Sequence, residues 1–302
     1  IAQCLVGSEM CIRDRYMITT YLGSACGQLM LNIPDPQGFI IFIIISVLYS
    51  VALVPISLTA LPSPDITAHK SMSLKRLYSI APVGVVGCIV SGVMVGSIYT
   101  LGAIYAERTG LSMKATSLFM FFTIMGGMLA QLPVGKLSDR MDRRFVLMWE
   151  SGILFLITPW IHHFVSESLL ELAIVALILG AGTFVMYPIC VSHVNDKIED
   201  SERVEASGML ILLQSIGMIF GPIVISAAMQ EWGSISFLFA FSIVNAFFVL
   251  YVFKYITFRP QTGYINQSKT APVPLAPTHM FNELAKDDTL LDKAKELFQD
   301  KH

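Results

Sequence analysis

The chain alternates between long apolar stretches and short polar connections. Seven stretches contain no Asp, Glu, Lys or Arg, and an eighth contains a single acidic residue, Glu150. These stretches are residues 16–34, 36–64, 77–106, 115–135, 145–166, 172–195, 206–230 and 232–253. About 20 apolar residues in a helix cross the hydrocarbon core of a bilayer. A buried helix of a soluble protein could explain one stretch, but eight in succession predict an all-α membrane protein with eight transmembrane helices.

The composition supports this interpretation and excludes several classes of function. The chain is 54% hydrophobic and 14% charged, whereas soluble domains are about 25% charged. The mean hydropathy is +0.66. The net charge of −2 provides no positive electrostatic potential that would attract nucleic acid. The five cysteines show no spacing typical of metal sites or disulfides, so we expect neither a metal nor a cofactor.

Lysine and arginine are distributed unequally between the two sets of connections. They are frequent in residues 62–78, 135–144 and 196–205, whereas the alternate connections contain only Arg108 and Lys114. Basic connections stay on the cytoplasmic side of a membrane. We therefore expect a multi-pass inner (plasma) membrane protein with these three connections and the C-terminus in the cytoplasm.

The first two apolar stretches resemble the last two. Gly23 aligns with Gly217 and Gly27 with Gly221, both at an offset of 194 residues. The same offset places the second stretch on the eighth. Small residues four apart allow helices to pack closely in a membrane. The repeat predicts that stretches three to eight form a complete set of six helices, and that the first two end an earlier set.

The N-terminal segment does not fit this pattern. Residues 4–15, CLVGSEMCIRDR, have no helical or strand periodicity, and every one of them is accounted for by a transposase sequencing-library adapter translated in frame. We interpret residues 1–15 as an adapter artefact; a genuine N-terminal tail is the alternative. On the first interpretation the native protein begins upstream of Tyr16, and the repeat predicts four more helices there.

These observations divide the chain into five predicted segments. They are the adapter artefact (1–15), the last two helices of an N-terminal half (16–61), a cytoplasmic inter-half loop (62–78), a C-terminal six-helix half (79–257) and a cytoplasmic tail (258–302). In the tail, apolar residues recur on one helical face after an acidic start at Asp287 and Asp288. We expect a short amphipathic helix there.

The connection after the fourth stretch carries a motif, GKLSDRMDRRFVL, at residues 135–147. It resembles the G-x-L-a-D-R-x-G-R-R signature of the major facilitator superfamily, and Asp142 stands where that signature has its second glycine. Residues 81–105, 182–188 and 217–222 resemble the seventh, tenth and eleventh helices of the YcaD-type subgroup. The residues that match the signature are Gly135, Leu137, Asp139, Arg140, Arg143 and Arg144.

This resemblance implies the major facilitator fold and secondary transport of a small organic solute by a monomer in the lipid bilayer. Proton-driven export is the leading hypothesis for coupling, because residues 217–222, GMIFGP, resemble an antiporter motif; H⁺ would then be a second ligand. The alternative is a non-transporting membrane sensor or scaffold on the same fold. An enzyme has little support, because no apolar stretch carries paired carboxylates, a nucleophile elbow or HExxH.

The signature residues predict a gate. Asp139 can accept charge-assisted hydrogen bonds from Arg140, Arg143 or Arg144. The pseudo-symmetry of the superfamily implies that Asp139 also faces the positive N-terminus of the helix that starts near Tyr16. This contact would join the two halves on the cytoplasmic side. The alternative is a basic loop that only sets the orientation of the protein.

The resemblance also implies a substrate path along the third and sixth stretches. The candidate residues there are Tyr99, Tyr105, Tyr187 and His193. Packing is the alternative role for Tyr187, and a solvated or helix-capping position is the alternative for His193.

Glu150 is the candidate for proton coupling, because a carboxyl group inside a membrane span is usually functional. Alternatively, it extends to the lipid headgroups or pairs with Lys136 or Arg144.

Overall fold

The computed structural model describes residues 9–33, 38–58, 72–165, 168–199 and 202–258, and for 9–17 and Ile56 it describes the backbone alone. Within these ranges the chain is helical and contains no strand. The contacts discussed below all lie in one compact unit, Ile18–Ile265. In the second unit, residues 1–17 and 266–302, the described part is the helical backbone of residues 9–17.

Nine α-helices lie in the described ranges, and short 3₁₀ turns follow two of them. The helices are α1 (Glu9–Leu29), α2 (Ile40–Leu58), α3 (Leu74–Ile80), α4 (Pro82–Arg108), α5 (Met113–Arg140), α6 (Arg143–Ile161), α7 (Leu169–Asn195), α8 (Arg203–Trp232) and α9 (Ser236–Phe258). The 3₁₀ turns are Met30–Asn32 after α1 and His162–Phe164 after α6.

Six helices, α4 to α9, are long and apolar enough to cross a membrane. They confirm six of the eight predicted spans and an all-α, multi-pass membrane protein. In α2 the continuous apolar segment with described side chains, Ile40–Pro55, is shorter, so the count of eight spans stays a prediction. The backbone of α1 begins at Glu9, before the predicted start at Tyr16.

Consecutive spans run in opposite directions, because most of their connections contain only a few residues. One end of the bundle therefore collects the starts of α4, α6 and α8 and the ends of α5, α7 and α9; we call it the charged end. The other is the opposite end. Gly110 and Gly233, which follow α4 and α8 there, have φ angles of 91° and 81°, a backbone conformation that favours glycine.

Glycines set the closest helix contacts in the six-helix bundle. A Cβ atom added at Gly96 of α4 would lie 2.6 Å from the Cα of Met218, and one at Gly221 of α8 would lie 2.7 Å from the Cα of Val93. Helices α4 and α8 thus approach backbone to backbone. At Gly23 and Gly27 of α1, no heavy atom of the described residues lies within 4 Å of such a Cβ.

The described part of the predicted inter-half loop forms α3, which is attached to the charged end. Leu77 is fully buried. The Arg76 guanidinium lies 2.7 Å from the Glu202 carboxylate, and the hydroxyls of Tyr78 and Tyr251 share a 3.0 Å hydrogen bond. Residues 62–71 and the amphipathic helix predicted in the tail lie outside the described residues.

Candidate functional site

The turn between α5 and α6 contains only Met141 and Asp142. Asp142 is the N-cap of α6, where its Oδ1 accepts a 3.0 Å hydrogen bond from the backbone N–H of Arg144. The Arg144 guanidinium also donates to Asp142 Oδ2 at 2.8 Å. Burial raises the pKa of the Asp142 carboxyl, but the bonds from Arg144 outweigh burial and the net shift is downward. Asp142, an acidic N-cap of α6, thus stands where the signature has its second glycine.

Arg143 connects three helices at the charged end. Its Nε donates to Asp196 Oδ2, which follows α7, at 2.5 Å, and its Nη1 donates to Ser138 Oγ of α5 at 3.1 Å. Its Nη2 lies 3.1 Å from Asp139 Oδ1. The side chains of Arg143 and Asp196 are 15% and 19% exposed, whereas Asp139 is 59% exposed. The strong pair therefore holds α6 to α7, and the carboxylate of Asp139 remains open to solvent.

The other signature residues have less contact with the protein. Arg140 is exposed, and a Cβ added at Gly135 would meet no described atom within 4 Å. The predicted contact between Asp139 and the helix near Tyr16 involves residues whose side chains lie outside the described part, so it remains a prediction.

A second cluster lies where α1, α4, α5 and α7 meet. The rings of Tyr21 and Tyr99 both pack edge to face with Phe184, at centroid distances of 5.5 and 5.6 Å. Tyr99 is 40% exposed and is close enough to Ser24 to share a hydrogen bond, and the hydroxyl of Tyr21 lies beside the side-chain amide of Gln131. We call this cluster the aromatic junction: Tyr21, Ser24, Tyr99, Gln131 and Phe184.

The aromatic junction includes one unsatisfied donor and no charge. The Nε2 of Gln131 is buried and has no hydrogen-bond partner among the described residues. The apolar stretches 16–34, 77–106, 115–135 and 172–195, which supply the junction, contain no Asp, Glu, Lys or Arg. A molecule bound here would therefore meet aromatic rings, hydroxyls and an amide.

The remaining path candidates do not join Tyr99. Tyr105 is fully buried and stacks on Phe237 of α9 at 5.1 Å, in the core of the bundle. Tyr187 is partly buried near Cys88 and Cys190. The four candidates are thus distributed over different parts of the bundle.

His193 is 4% exposed, and its Nε2 has no partner in the described part of the chain. It lies in the electrostatic environment of Lys197, Asp142, Arg144 and Arg143. The structure therefore places it in the interior of the charged end rather than in solvent.

Glu150 projects into the protein from α6. Its two carboxyl oxygens are buried and have no hydrogen-bond partner among the described residues, although the residue as a whole is partly exposed. Cys190 of α7 is among its neighbours. Arg144, one of its predicted partners, pairs instead with Asp142.

Among the residues described, no group of three His, Cys, Asp or Glu side chains could hold a metal ion.

At the opposite end, α1 and α5 are joined by uncharged groups. Ser117 of α5 is fully buried. Its Oγ donates to the backbone carbonyl of Gln28 at 2.7 Å and accepts from Asn32 Nδ2 at 2.9 Å. One serine therefore links α1 and the 3₁₀ turn after it to the six-helix bundle.

The sequence did not predict functional roles for Asp142, Asp196, Ser117 or most of the junction. Asp142 had a recognisable signal, because an aspartate immediately before an apolar helix is a preferred N-cap. Ser117 and Phe184 had none, because serines and aromatic residues are common in membrane helices and their partners are distant in sequence.

Comparison with known proteins identifies the family to which the chain belongs. Residues 126–291 match the model of the Major Facilitator Superfamily, over more than half of the chain. The chain is also 27% identical over 219 residues to proteins named "Uncharacterized MFS-type transporter YcaD" from Escherichia coli O139:H28 (strain E24377A / ETEC), O9:H4 (strain HS) and strain K12 / DH10B. The match covers 72% of this chain and 56% of each relative, so the chain spans about half the length of these relatives.

Proposed function

The chain belongs to the major facilitator superfamily, and we propose that it functions in secondary transport of a small organic solute. The observation that carries this proposal is the aromatic junction, where α1 meets α4 and α7 through Tyr21, Tyr99 and Phe184. Uncharged aromatic and amide groups at membrane depth are suited to binding an organic molecule.

We also propose that α1 and α2 are the last two helices of one half and that α4 to α9 are the other half. The 194-residue offset between Gly23 and Gly217 supports this division, as does the 56% coverage of the YcaD relatives. The aromatic junction would then lie between the halves. A solute bound there becomes accessible to one side of the membrane or the other as the halves move.

In this mechanism the charged end acts as a gate. The Arg143–Asp196 pair holds the ends of α6 and α7 together, so these ends would move as one body. We propose that Asp139, whose side chain is 59% exposed, accepts hydrogen bonds from the N-terminal turn of the native helix that begins near Tyr16. Making and breaking that contact would close and open the access of solute to the aromatic junction from the charged end.

Glu150 is our candidate for proton coupling. An ionised carboxylate without a donor is strongly disfavoured in the interior of a membrane protein, so the neutral acid is the stable form of Glu150 in its buried position. A conformational change that exposes the carboxyl to water would release the proton. Uptake from one side and release to the other would couple a proton gradient to export.

Flux measurements on the native gene product in proteoliposomes test this proposal. We expect a pH gradient to drive solute movement, Glu150→Gln to abolish the pH dependence, and Asp139→Asn to slow flux while the protein stays folded. Glu171→Gln is the control, because it removes another carboxylate, near the start of α7. Solute binding without any flux would favour the sensor, and normal gradient-driven flux in Glu150→Gln would remove Glu150 from the mechanism.

We propose that the charged end faces the cytoplasm, as the basic connections indicate. Cysteine labelling of intact cells tests this orientation at two exposed positions, Lys136→Cys at the charged end and Met113→Cys at the opposite end. An impermeant reagent added outside should label only the second variant. Labelling of Lys136→Cys alone would reverse the orientation.

A further inference from the structure

A groove opens at the charged end between α3, α4 and α8. Its volume is about 540 Å³, which lies within the range of ligand pockets in proteins. Most of its lining is apolar and includes Val86 and Ile89 of α4 and Leu213 of α8. The polar members of the lining, Lys75 and Tyr78, both belong to α3. The groove thus combines an apolar floor with one cationic edge.

The groove lies on the side of α4 that is turned away from α1. Val86 precedes Tyr99, the α4 residue of the aromatic junction, by 13 residues, which places the two about 140° apart around the helix. Ser97 follows Val86 by 11 residues and lies on nearly the same face. Ser97 is fully buried, whereas Val86 is partly exposed. The groove is therefore open near the charged end and closed deeper in the bundle, and helices that join the bundle through α1 would lie on the other side of α4.

Tyrosines place the open part of the groove at the level of the lipid headgroups. The hydroxyl of Tyr78 shares hydrogen bonds of 3.0 and 3.4 Å with the hydroxyls of Tyr251 and Tyr255 on α9. Tyrosine is enriched at membrane–water interfaces, where its ring meets acyl chains and its hydroxyl meets headgroups. Leu77 of α3 is fully buried against the bundle, while Tyr78 is 42% exposed. Helix α3 therefore lies along the interface, and the apolar floor extends from it toward the acyl chains.

The charges around the groove favour an anion at this level. Arg76 pairs with Glu202, whereas no ion pair within the described residues involves Lys75. Lys254, which is exposed, lies three residues after Tyr251 on α9 and adds a second cation nearby. A lysine at an interface packs its stem on apolar surface and holds its ammonium at headgroup level. Basic pockets of this kind attract anionic lipid headgroups.

From these observations we infer that the groove binds one anionic phospholipid, with its phosphate on Lys75 beside the Tyr78 hydroxyl and one acyl chain along Val86 and Ile89. The inference goes beyond solute transport and does not depend on it, because the aromatic junction and the gate take no part in it.

A photoreactive lipid locates the site. The full chain is reconstituted in phosphatidylcholine vesicles that contain a small fraction of phosphatidylglycerol with a diazirine in one acyl chain, and labelled residues are mapped by peptide mass spectrometry. We expect labelling of Val86 and Ile89 that excess unlabelled phosphatidylglycerol suppresses. Phe247 and Leu250 of α9 are the control, because they are 70% and 66% exposed and lie in the same half of the membrane. Their labelling should not saturate.

Charge variants test the headgroup contact. Native mass spectrometry of the purified chain in detergent compares phosphatidylglycerol with phosphatidylcholine of the same acyl chains. We expect phosphatidylglycerol to bind at least about fivefold more tightly, and Lys75→Gln to weaken it by about fivefold without changing phosphatidylcholine. Lys114→Gln is the control, because Lys114 is an exposed lysine near the start of α5 at the opposite end. Lys75→Arg, which keeps the charge, should retain the preference.

Three results would overturn the inference. Labelling of Val86 and Ile89 that unlabelled phosphatidylglycerol does not suppress would identify an ordinary lipid-facing surface. Labelling of Phe247 and Leu250 without Val86 and Ile89 would show that protein, from this chain or a second copy, covers the groove. Equal phosphatidylglycerol binding in Lys75→Gln and Lys114→Gln would remove Lys75 from the site. None of these measurements involves a transported solute, so a failure of the proposed transport function leaves them unchanged.

Discussion

The charged end and the aromatic junction both connect several helices, but by different interactions. At the charged end, Arg143 reaches from α6 to Asp139 of α5 and to Asp196 after α7 through directed ion pairs. At the junction, α1, α4 and α7 meet through the edges of Tyr21, Tyr99 and Phe184. The first set requires short distances and directed bonds, whereas the second stays favourable over centroid distances of about 4.5–7 Å.

This difference indicates which parts of the molecule can move. Ion pairs that are partly desolvated lose much of their energy when they are stretched, so the joined ends of α5, α6 and α7 should behave as one rigid unit. Aromatic pairs tolerate a range of centroid distances, and the glycines of α1 have no close neighbours in the described residues. Movement of α1 against the six-helix bundle is therefore expected at the junction, while the joined ends of α5, α6 and α7 move as one body.

The largest expected effect comes from removing the connection between α6 and α7. Arg143→Ala leaves the carboxylate of Asp196, which is 19% exposed, without its partner, and it should cost about 2–3 kcal/mol in the free energy of unfolding. This cost is measured by unfolding the purified chain in detergent with a denaturant and monitoring the helix content by circular dichroism. Arg140→Ala is the control, because Arg140 is exposed. If the two variants are equally stable, the charged end is not a rigid connection.

A smaller effect is expected from the neutral contact at the opposite end. Ser117→Ala removes the two hydrogen bonds that join α5 to Gln28 and Asn32, and it should cost about 1 kcal/mol. Hydrogen exchange of the 3₁₀ turn Met30–Asn32 should increase together with the loss of stability. Ser215→Ala is the control, because that serine donates within its own helix, to the carbonyl of Ile211. Unchanged exchange in Ser117→Ala would show that this contact does not hold α1.

Acid should weaken the charged end and leave the junction unaffected. The pKa of Asp142 is below the ordinary value of 3.8, so its contribution to stability is present above that value and is lost as the pH falls through the folded-state pKa. Asp142→Asn preserves the N-cap but removes the charge that Arg144 pairs with, and it should cost about 1 kcal/mol at pH 7. The difference from the unmodified chain should shrink below about pH 4. A difference that stays constant down to pH 3 would contradict this account.

The smallest expected effect comes from the solvent-exposed pair. Asp139→Asn should cost about 0.5 kcal/mol or less at low salt, because Asp139 is 59% exposed. About 1 M salt should abolish the difference by screening. Tyr21→Leu, at the uncharged junction, should have a salt-independent cost. A large, salt-resistant cost of Asp139→Asn would show that this carboxylate has a further, buried partner.

The sequence by itself determined the spans and the composition of each end. Apolar stretches as long as a bilayer is thick form helices there, and most charged residues remain outside. Five of the six spans therefore follow from the absence of Asp, Glu, Lys and Arg, and the sixth follows from a stretch in which Glu150 is the single charged residue. The motif around Asp139 similarly located the charged turn, and the Gly217–Gly221 pair located a close helix contact. These features depend on local order along the chain.

The tertiary structure decided which of these residues meet. Tyr99 and Tyr105 both lie on α4, but six residues at about 100° each place them on different faces, and the packing of Gly96 against α8 fixes which face turns inward. Tyr105 thus stacks in the core while Tyr99 reaches the junction. Arg143 meets Asp196, 53 residues away, because α6 and α7 return to the same end. The rotation and pairing of helices depend on side-chain contacts between distant segments, which the apolar pattern of one segment does not encode.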